Sequence, residues 1–286
     1  MGLQGTCMKL IEVLWKVLEK CGIFVSMNMN IKRDDRQVVW LEPIEHVYIH
    51  RDTQKHYKSV TTTLASVEPH FDADAVSLAI SKQNDKTPTK NPLYVGKTQE
   101  QILDYWQELN DTANEYGTHI HETIETYLLK KKFWFPKDEL QQAAIAGYES
   151  LKVDEGQMMY PERIMFSEYY ELAGTADLVI DIDDVFFDVG DWKTNKAFHY
   201  WNQFGNQTML KPFEHIQNCQ YGIYSLQLSV YAYMYELEFP HKKCRHIWIG
   251  YWDKETTEMR RIPIPYLKHD AKRLLELHKY NTQMAI

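Results

Sequence analysis

The sequence predicts an α/β protein in which helices flank a central mixed β-sheet, preceded by an N-terminal strand and helix extension. Short apolar runs typical of strands are concentrated in residues 36–64 and 162–194. Apolar residues recur at spacings of three, four or seven along residues 98–131, which indicates a long amphipathic helix. The order of helix, three strands, helix and strands is typical of a mixed sheet covered by helices.

The N-terminal part divides into a short segment and the beginning of the sheet. Residues 1–34 predict an amphipathic helix and a polar linker, whereas 35–286 contain no convincing linker and are predicted to form one domain. The first strands are predicted at 38–41, 46–50 and 56–63. A short helix over 72–82 and a polar loop with two prolines over 83–92 complete this region.

The remaining elements follow from changes of period along the chain. Three short runs at 164–166, 178–180 and 185–187, separated by Gly174 and by Asp183-Asp184, predict an antiparallel meander. Residues 195–215 form an aromatic-rich loop. The other predicted elements are helices over 98–131, 138–151, 220–237 and 266–281, and a hairpin over 244–253 and 259–264.

Composition limits the classes of function. The formal net charge of −8 and the pI of about 5.8 argue against a protein that coats nucleic acid with one broad basic face, but not against a local groove. No run of 18 uncharged apolar residues occurs, so no membrane contact is expected. None of the four cysteines lies in a CxxC pair, which favours reduced thiols in an intracellular protein and gives no support to a zinc or iron–sulfur site.

Two aspartates and a lysine on neighbouring predicted strands carry the main chemical signal. Asp177 and Asp191 are 14 residues apart, and a tight turn between their strands can bring both carboxylates to one point. Lys193 follows Asp191 by two residues and therefore points to the same side of its strand. Carboxylates can hold Mg²⁺ or Mn²⁺ for phosphodiester hydrolysis, and the ammonium can orient water or stabilise phosphorane charge. Alternatively, the acids are turn residues and the lysine is a solvated charge.

Two predicted helices contribute further candidates. His121 and Glu125 lie four apart on one helical face, and a histidine beside two carboxylates would be a natural third ligand. Gln227 and Tyr231 share a face of the later helix, where an amide could hold a phosphate and a ring could pack on a sugar or base. Ordinary packing is the alternative for each of these residues.

In this order the motifs resemble the RecB-like branch of the PD-(D/E)XK nuclease superfamily, especially the mitochondrial genome maintenance exonucleases and related phage exonucleases. The matching pieces are Gly-Thr-x-x-His ending at His121, Glu162 before a strand, Gly-Thr-x-Asp ending at Asp177, Asp-x-Lys-Thr from Asp191, and Gln-x-x-x-Tyr from Gln227. The resemblance covers residues 46–252 and implies a restriction-endonuclease-like core.

The resemblance also implies a role for each matching residue. His121, Asp177 and Asp191 would bind the metal, together with the backbone carbonyl of Trp192, and Lys193 would be the catalytic lysine. Glu162 would be an accessory acid that orients the lysine or a water molecule. The implied nucleic-acid contacts are Gln227, Tyr231, Ser59 and Thr61. Asp191 stands where this branch commonly has Glu, and the C-terminal cysteine cluster that binds iron–sulfur in several relatives has no counterpart.

The sequence therefore predicts a Mg²⁺- or Mn²⁺-dependent deoxyribonuclease that degrades DNA from an end. Single-stranded DNA is the preferred substrate, because Lys196 and the aromatic loop (Phe198, Tyr200, Trp201, Phe204) could line a strand channel. By likeness, the setting would be replication, recombination or repair in a bacterial or phage-infected cell. An endonuclease of the same fold, a non-catalytic nucleic-acid-binding protein and a structural Ca²⁺ site are the alternatives.

Overall fold

The computed structural model describes residues 39–42, 47–84, 91–130, 135–153, 156 and 158–284. Within them, eight strands form a mixed sheet flanked by helices, as predicted. The strands are β1 (Val39–Glu42), β2 (Val47–His50), β3 (His56–Ser59), β4 (Met158–Ser167), β5 (Leu172–Asp181), β6 (Phe186–Lys193), β7 (Lys243–Asp253) and β8 (Glu258–Ile264). The helices are α1 (Val60–Ala65), α2 (Ala73–Asn84), α3 (Gln99–Lys130), α4 (Glu139–Ser150), α5 (Gln220–Glu238) and α6 (Lys268–Met284), with a 3₁₀ turn at Pro92–Tyr94.

The third strand is shorter than predicted, because a helix begins at Val60. The β-branched run from Val60 to Thr63 is typical of a strand. However, the Ser59 hydroxyl accepts a hydrogen bond from the backbone N–H of Thr62 at 3.0 Å, which caps a new helix instead. Burial of Val60 and Leu64 in the core then outweighs the weak intrinsic preference of these residues for strand.

Strand β5 lies in the centre of the sheet. Along one of its edges, the neighbouring strand changes from β3 to β6. The other edge pairs with β4 in antiparallel register from Ser167–Leu172 to Met158–Asp181. Along the changing edge, β3 runs parallel to Leu172 and Ala173, whereas β6 runs antiparallel to Leu178–Asp181. Residues 174–177 therefore lie at a fork between two neighbouring strands, where side chains rather than a regular ladder meet the strand.

The helices cover the two faces of the sheet with separate apolar clusters. The cluster formed with α1, α5 and α6 includes Val179 from β5, while the cluster with α3 and α4 includes Leu178 and Ile180. Strand β7 pairs in parallel with β6 and in antiparallel with β8. Because β5 has apolar neighbours on both faces, it is buried along nearly its whole length, as expected of a central strand.

Some of the sequence predictions fall on residues that the structure does not describe. The prediction for residues 1–34 lies outside the described residues, as do His46 and most of the 83–92 loop, and the domain boundary stays a prediction. Among the described helices, none is long and apolar enough to cross a membrane.

Candidate metal centre and cleft

Asp177 occupies the fork on β5 and is held there by the neighbouring strand. Its Oδ2 accepts a hydrogen bond from the backbone N–H of Trp192 at 2.6 Å. The register Leu178–Gly190 places Asp177 opposite Asp191, one step further along the two strands. The prediction that two neighbouring strands bring these acids together agrees with this register, and the side-chain hydrogen bond is what joins β5 to β6 at the fork.

Three potential metal ligands from three elements converge at this point. His121 from α3, Glu162 from β4 and Asp177 from β5 each present a ligand atom, and these atoms all lie within 4.8 Å of one another. His121 Nδ1 is 3.3 Å from Asp177 Oδ1. An imidazole and two carboxylates form a donor set suited to a divalent cation that accepts oxygen and nitrogen ligands.

Glu162 reaches the cluster through an unusual backbone conformation. Sequence analysis placed this residue ahead of a strand, but it lies in the middle of β4, where its φ of 49° is left-handed. Its neighbours Pro161 and Arg163 both pair with β5, so the irregularity is confined to one residue. A non-glycine residue in this region is strained, and such strain commonly marks positions where a side chain must point in a particular direction.

The electrostatics of the three ligands reflect crowded negative charge. Burial, reinforced by the neighbouring charge of Asp177, raises the pKa of Glu162 to about 8. Burial alone would lower the pKa of His121, but the Asp177 carboxylate outweighs it and raises that pKa to about 9. Burial opposes ionisation of Asp177, yet the ion pair with His121 keeps its pKa below the usual value. Glu162 and His121 thus hold their protons more tightly than usual, as expected where several acidic groups share one buried site.

Asp191 and Lys193 form an ion pair beside this cluster. Burial and the charge of Asp177 raise the pKa of Asp191 to about 6, against the opposing influence of Lys193. Burial disfavours the Lys193 ammonium, but the two aspartates outweigh it and raise its pKa. The ammonium also lies 4.8 Å from the centre of the Tyr224 ring. Lys193 is therefore a fixed positive charge next to the three ligands.

Most of the predicted site residues lie close together in the structure, but their contacts differ from the predicted ligand set. His121, Asp177 and Glu162 form the ligand cluster, whereas the Asp191 carboxylate pairs with Lys193. The Trp192 backbone N–H, rather than its indole, reaches the site, because the indole is buried against Trp248 and Tyr148. The proposed ligand roles of Asp191 and of the Trp192 carbonyl remain predictions.

A cleft of about 480 Å³ opens beside the ligand cluster. It runs between α3 on one side and the end of β6 with α5 on the other. Its cationic side chains are Lys193, Lys196 and Lys254, and its one acidic residue is Glu68, whose pKa burial raises. The other lining residues are Thr61, Leu64, Asn110, Ala113, Asn114, His121, Trp192, Thr194, Asn195, Ile223, Tyr224 and Gln227.

Two glycines are closely packed near this cleft. A Cβ at Gly117 would lie 2.9 Å from Thr194 Oγ1, so a side chain there would require Thr194 to shift. A Cβ at Gly174 would lie 2.6 Å from Cε1 of Tyr231. The hydroxyl of Tyr231 accepts a hydrogen bond from Gln227 Nε2 at 3.1 Å, and both side chains are buried.

The remaining predicted nucleic-acid contacts separate into cleft and packing residues. Thr61 and Lys196 line the cleft, while the Ser59 hydroxyl is engaged in capping α1 and in hydrogen bonds to Thr61 and Thr62. Within the aromatic loop, Phe198 packs against Tyr224 and Tyr251 of the interior. Trp201 and Phe204 are 71% and 85% exposed. The loop therefore combines a packed residue with two exposed rings.

Sequence analysis missed Tyr224, Asn114 and Lys254 as cleft residues. Tyr224 lies three residues before Gln227 on the same helical face, and Asn114 lies seven residues before His121, so helical spacing could have identified both. Lys254 follows strand β7, and no local pattern connects it to α3. Its position depends on the tertiary fold alone.

No protein-family model matches the chain, and no curated protein matches it. Among solved structures, one described as a candidate exonuclease from Eubacterium rectale is 16% identical, with 75% of this chain and 82% of that chain covered and a TM-score of 0.39. A second crystal structure, whose name carries no functional description, is 13% identical, with 77% and 83% covered and a TM-score of 0.29. Similarities at these scores carry no argument about function.

Proposed function

We propose that this protein is a divalent-cation-dependent deoxyribonuclease of the PD-(D/E)XK type, which removes nucleotides from the ends of single-stranded DNA. The observation that carries the proposal is the convergence of His121, Glu162 and Asp177 within 4.8 Å, next to the Asp191–Lys193 ion pair. An acidic cluster, a histidine and an adjacent fixed ammonium at the edge of a cleft are the groups that phosphodiester hydrolysis requires.

The donor set fits Mg²⁺ or Mn²⁺. His121, Glu162 and Asp177 would hold the ion, with Asp191 as a further ligand once its charge is shared between the ion and Lys193. The raised pKa values of Glu162 and His121 support this fit, because a cation would replace the protons that the cluster otherwise binds. When bound, the ion would neutralise phosphate charge and make water a stronger nucleophile at neutral pH.

The protein's own groups would act on the phosphate in complementary ways. Lys193, held in place by Asp191, would stabilise the negative charge that develops on the phosphate oxygens during attack. Gln227 and Thr61 line the cleft and offer an amide and a hydroxyl for hydrogen bonds to the strand. Lys196, which is exposed, adds a further positive charge to the lining of the cleft.

The decisive experiment is cleavage of end-labelled single-stranded DNA with Mg²⁺, with Mn²⁺ and with chelator. The full chain should shorten the strand only with metal, and Lys193→Met should lose activity by about 10²-fold or more. Lys272→Met is the matched control, because Lys272 also forms an ion pair, with Glu276, but on the exposed face of α6. Thermal unfolding of each variant should show that the fold is retained.

Two other substrates distinguish the alternatives. Closed single-stranded circles should survive, and their efficient cleavage would replace the exonuclease by an endonuclease. If the protein bound DNA but showed no metal-dependent cleavage, a non-catalytic nucleic-acid-binding function would be favoured.

A further inference from the structure

Several buried or half-buried cations among the described residues are paired with an acid, whereas Lys254 is not. Arg163 pairs with Glu238 at 2.6 Å, Lys242 with Asp181 at 3.2 Å, and Arg245 with Asp188 at 2.7 Å. Lys254 is half-buried, and the structure gives no carboxylate within ion-pair distance of its ammonium among the described residues. Burial lowers the pKa of Lys254, and no neighbouring charge opposes that effect.

The position of this ammonium is nevertheless fixed. It lies 4.4 Å from the centre of the Tyr116 ring, whose hydroxyl accepts a hydrogen bond from Trp252 Nε1 at 2.9 Å. Trp252 is fully buried, so the ring is anchored to the core. A ring face attracts a cation without neutralising its charge, which leaves the ammonium free to bind an anion.

Lys254 also lies in the same cleft as the catalytic candidates, but opposite another part of α3. The face of α3 that lines the cleft runs through Asn110, Asn114 and His121. At a rise of 1.5 Å per residue, Asn110 is about 16 Å from His121 along the helix. The lining of the cleft therefore extends along α3 beyond the ligand cluster, and it includes the Lys254 ammonium and two uncharged amides.

We infer that Lys254, which lines the same cleft as Lys193 and lies over the Tyr116 ring, is the binding site for a second backbone phosphate of the DNA strand, away from the bond that is cut. Ammonium and amide groups donate hydrogen bonds to phosphate oxygens without reading the base. This inference rests on the proposed nuclease function, since the anion at Lys254 would belong to the same strand as the phosphate at Lys193. The site would make productive binding depend on strand length.

The test compares Lys254→Met with the parent on oligonucleotides of increasing length, from a dinucleotide to a 12-mer, with Mn²⁺. The defect in kcat/KM should grow with length, reach about tenfold for the 12-mer and arise from KM. The slope of log affinity against log salt for the 12-mer should decrease by about 0.7, because one phosphate contact is lost. Lys254→Arg should restore most of the affinity.

Lys279→Met is the matched control, because Lys279 also lies over a tyrosine ring, Tyr169, but outside the cleft. Equal KM values and salt slopes for the parent and Lys254→Met would overturn the inference while leaving the nuclease intact. A defect of the same size at every length would also overturn it, because it would indicate a general effect on the fold. Failure of the parent to cleave any DNA would instead refute the proposed function.

Discussion

Buried aspartates lie near both ends of the segment over which strands β5 and β6 pair, and the charges at the two ends are balanced differently. At one end, Asp181 is 3.2 Å from Lys242 and accepts a hydrogen bond from the Tyr235 hydroxyl at 3.0 Å. Asp188 accepts two hydrogen bonds from Arg245, at 3.0 and 2.7 Å. Each acid at this end has its own cation.

At the other end, the acids outnumber the cations. Glu162, Asp177 and Asp191 are close to His121 and Lys193, and the pKa values of Glu162 and Asp191 are raised as a result of burial and mutual repulsion. Burial of a carboxylate is thus common to both ends, whereas unbalanced charge is confined to the fork. The imbalance of charge, rather than the burial of carboxylates, therefore distinguishes the candidate metal centre.

Removal of one charge at the unbalanced end should have the largest effect. Asp177→Asn keeps an oxygen that can accept the Trp192 N–H bond but removes the charge expected to bind metal. We expect metal-dependent cleavage to fall about 10³-fold, with an unfolding free energy within about 1 kcal/mol of the parent. Steady-state cleavage assays and thermal unfolding measure the two quantities.

The control for this variant lies on the same strand. Asp181→Asn, at the balanced end, should retain most of the cleavage activity of its folded fraction. If Asp177→Asn kept activity within tenfold of the parent, Asp177 could not be a metal ligand.

At the balanced end, the expected effect is on stability. Asp188→Ala removes the buried carboxylate that accepts hydrogen bonds from the partly buried Arg245 guanidinium and from the backbone N–H of His246. We expect a loss of about 3 kcal/mol in the free energy of unfolding, measured by urea titration. The folded fraction should cleave DNA as the parent does.

A milder substitution at the same position sharpens this result. Asp188→Asn retains a carbonyl oxygen for the hydrogen bonds and should cost clearly less than Asp188→Ala. If folded Asp188→Ala lost catalytic turnover, Asp188 would not serve stability alone, and the distinction between the two ends of the paired segment would be wrong.

The smallest expected effect is the change in thermal stability of the metal-free protein with pH. The pKa of Glu162 is raised to about 8 and that of His121 to about 9, so the folded state holds both protons more tightly than the unfolded chain. Stability from Glu162 is complete below its ordinary pKa and is lost as pH rises through 8; stability from His121 is lost as pH rises through 9. With chelator present, the Tm should therefore fall between pH 6 and 9.

Glu162→Gln tests the contribution of this one group. It should make the fall in Tm shallower, whereas Glu108→Gln, an exposed substitution on α3 away from the cluster, should leave the profile unchanged. Mn²⁺ should raise the Tm of the parent most at the high end of this range, because the ligands are then deprotonated. A parent profile that is flat from pH 6 to 9 would mean that the cluster does not bind these protons.

Periodicity predicted most of the helices and the hairpins, because these elements depend on neighbours in the sequence. The helix predicted over 98–131 is α3, Gln99–Lys130, and the helix predicted over 220–237 is α5, Gln220–Glu238. The strand predicted through Thr63 was wrong beyond Ser59, since a single capping hydrogen bond and core burial decided between two local structures. The parallel pairing of β3 with β5 joins segments more than 100 residues apart, and no local pattern specifies it.

The candidate site likewise combines features that the local sequence specifies with features that only the tertiary fold specifies. Lys193 lies beside Asp191 because alternation along one strand requires it, and this could be predicted from two residues of sequence. The place of Glu162 could not, because it depends on one left-handed residue within β4. The contacts of His121 with Asp177 and the position of Lys254 depend on how α3 lies across the sheet, where Ile120, Ile124 and Leu128 pack in the core.

The left-handed residue in β4 also implies a compromise between folding and chemistry at one position. Glycine would adopt the φ of 49° at position 162 without steric strain, and it would remove a buried acid from a crowded cluster. For folding alone, glutamate is therefore a poor choice there, and a Glu162→Gly chain would gain stability as it lost a ligand. Selection for thermal stability in the absence of metal would be expected to drive this position away from an acid.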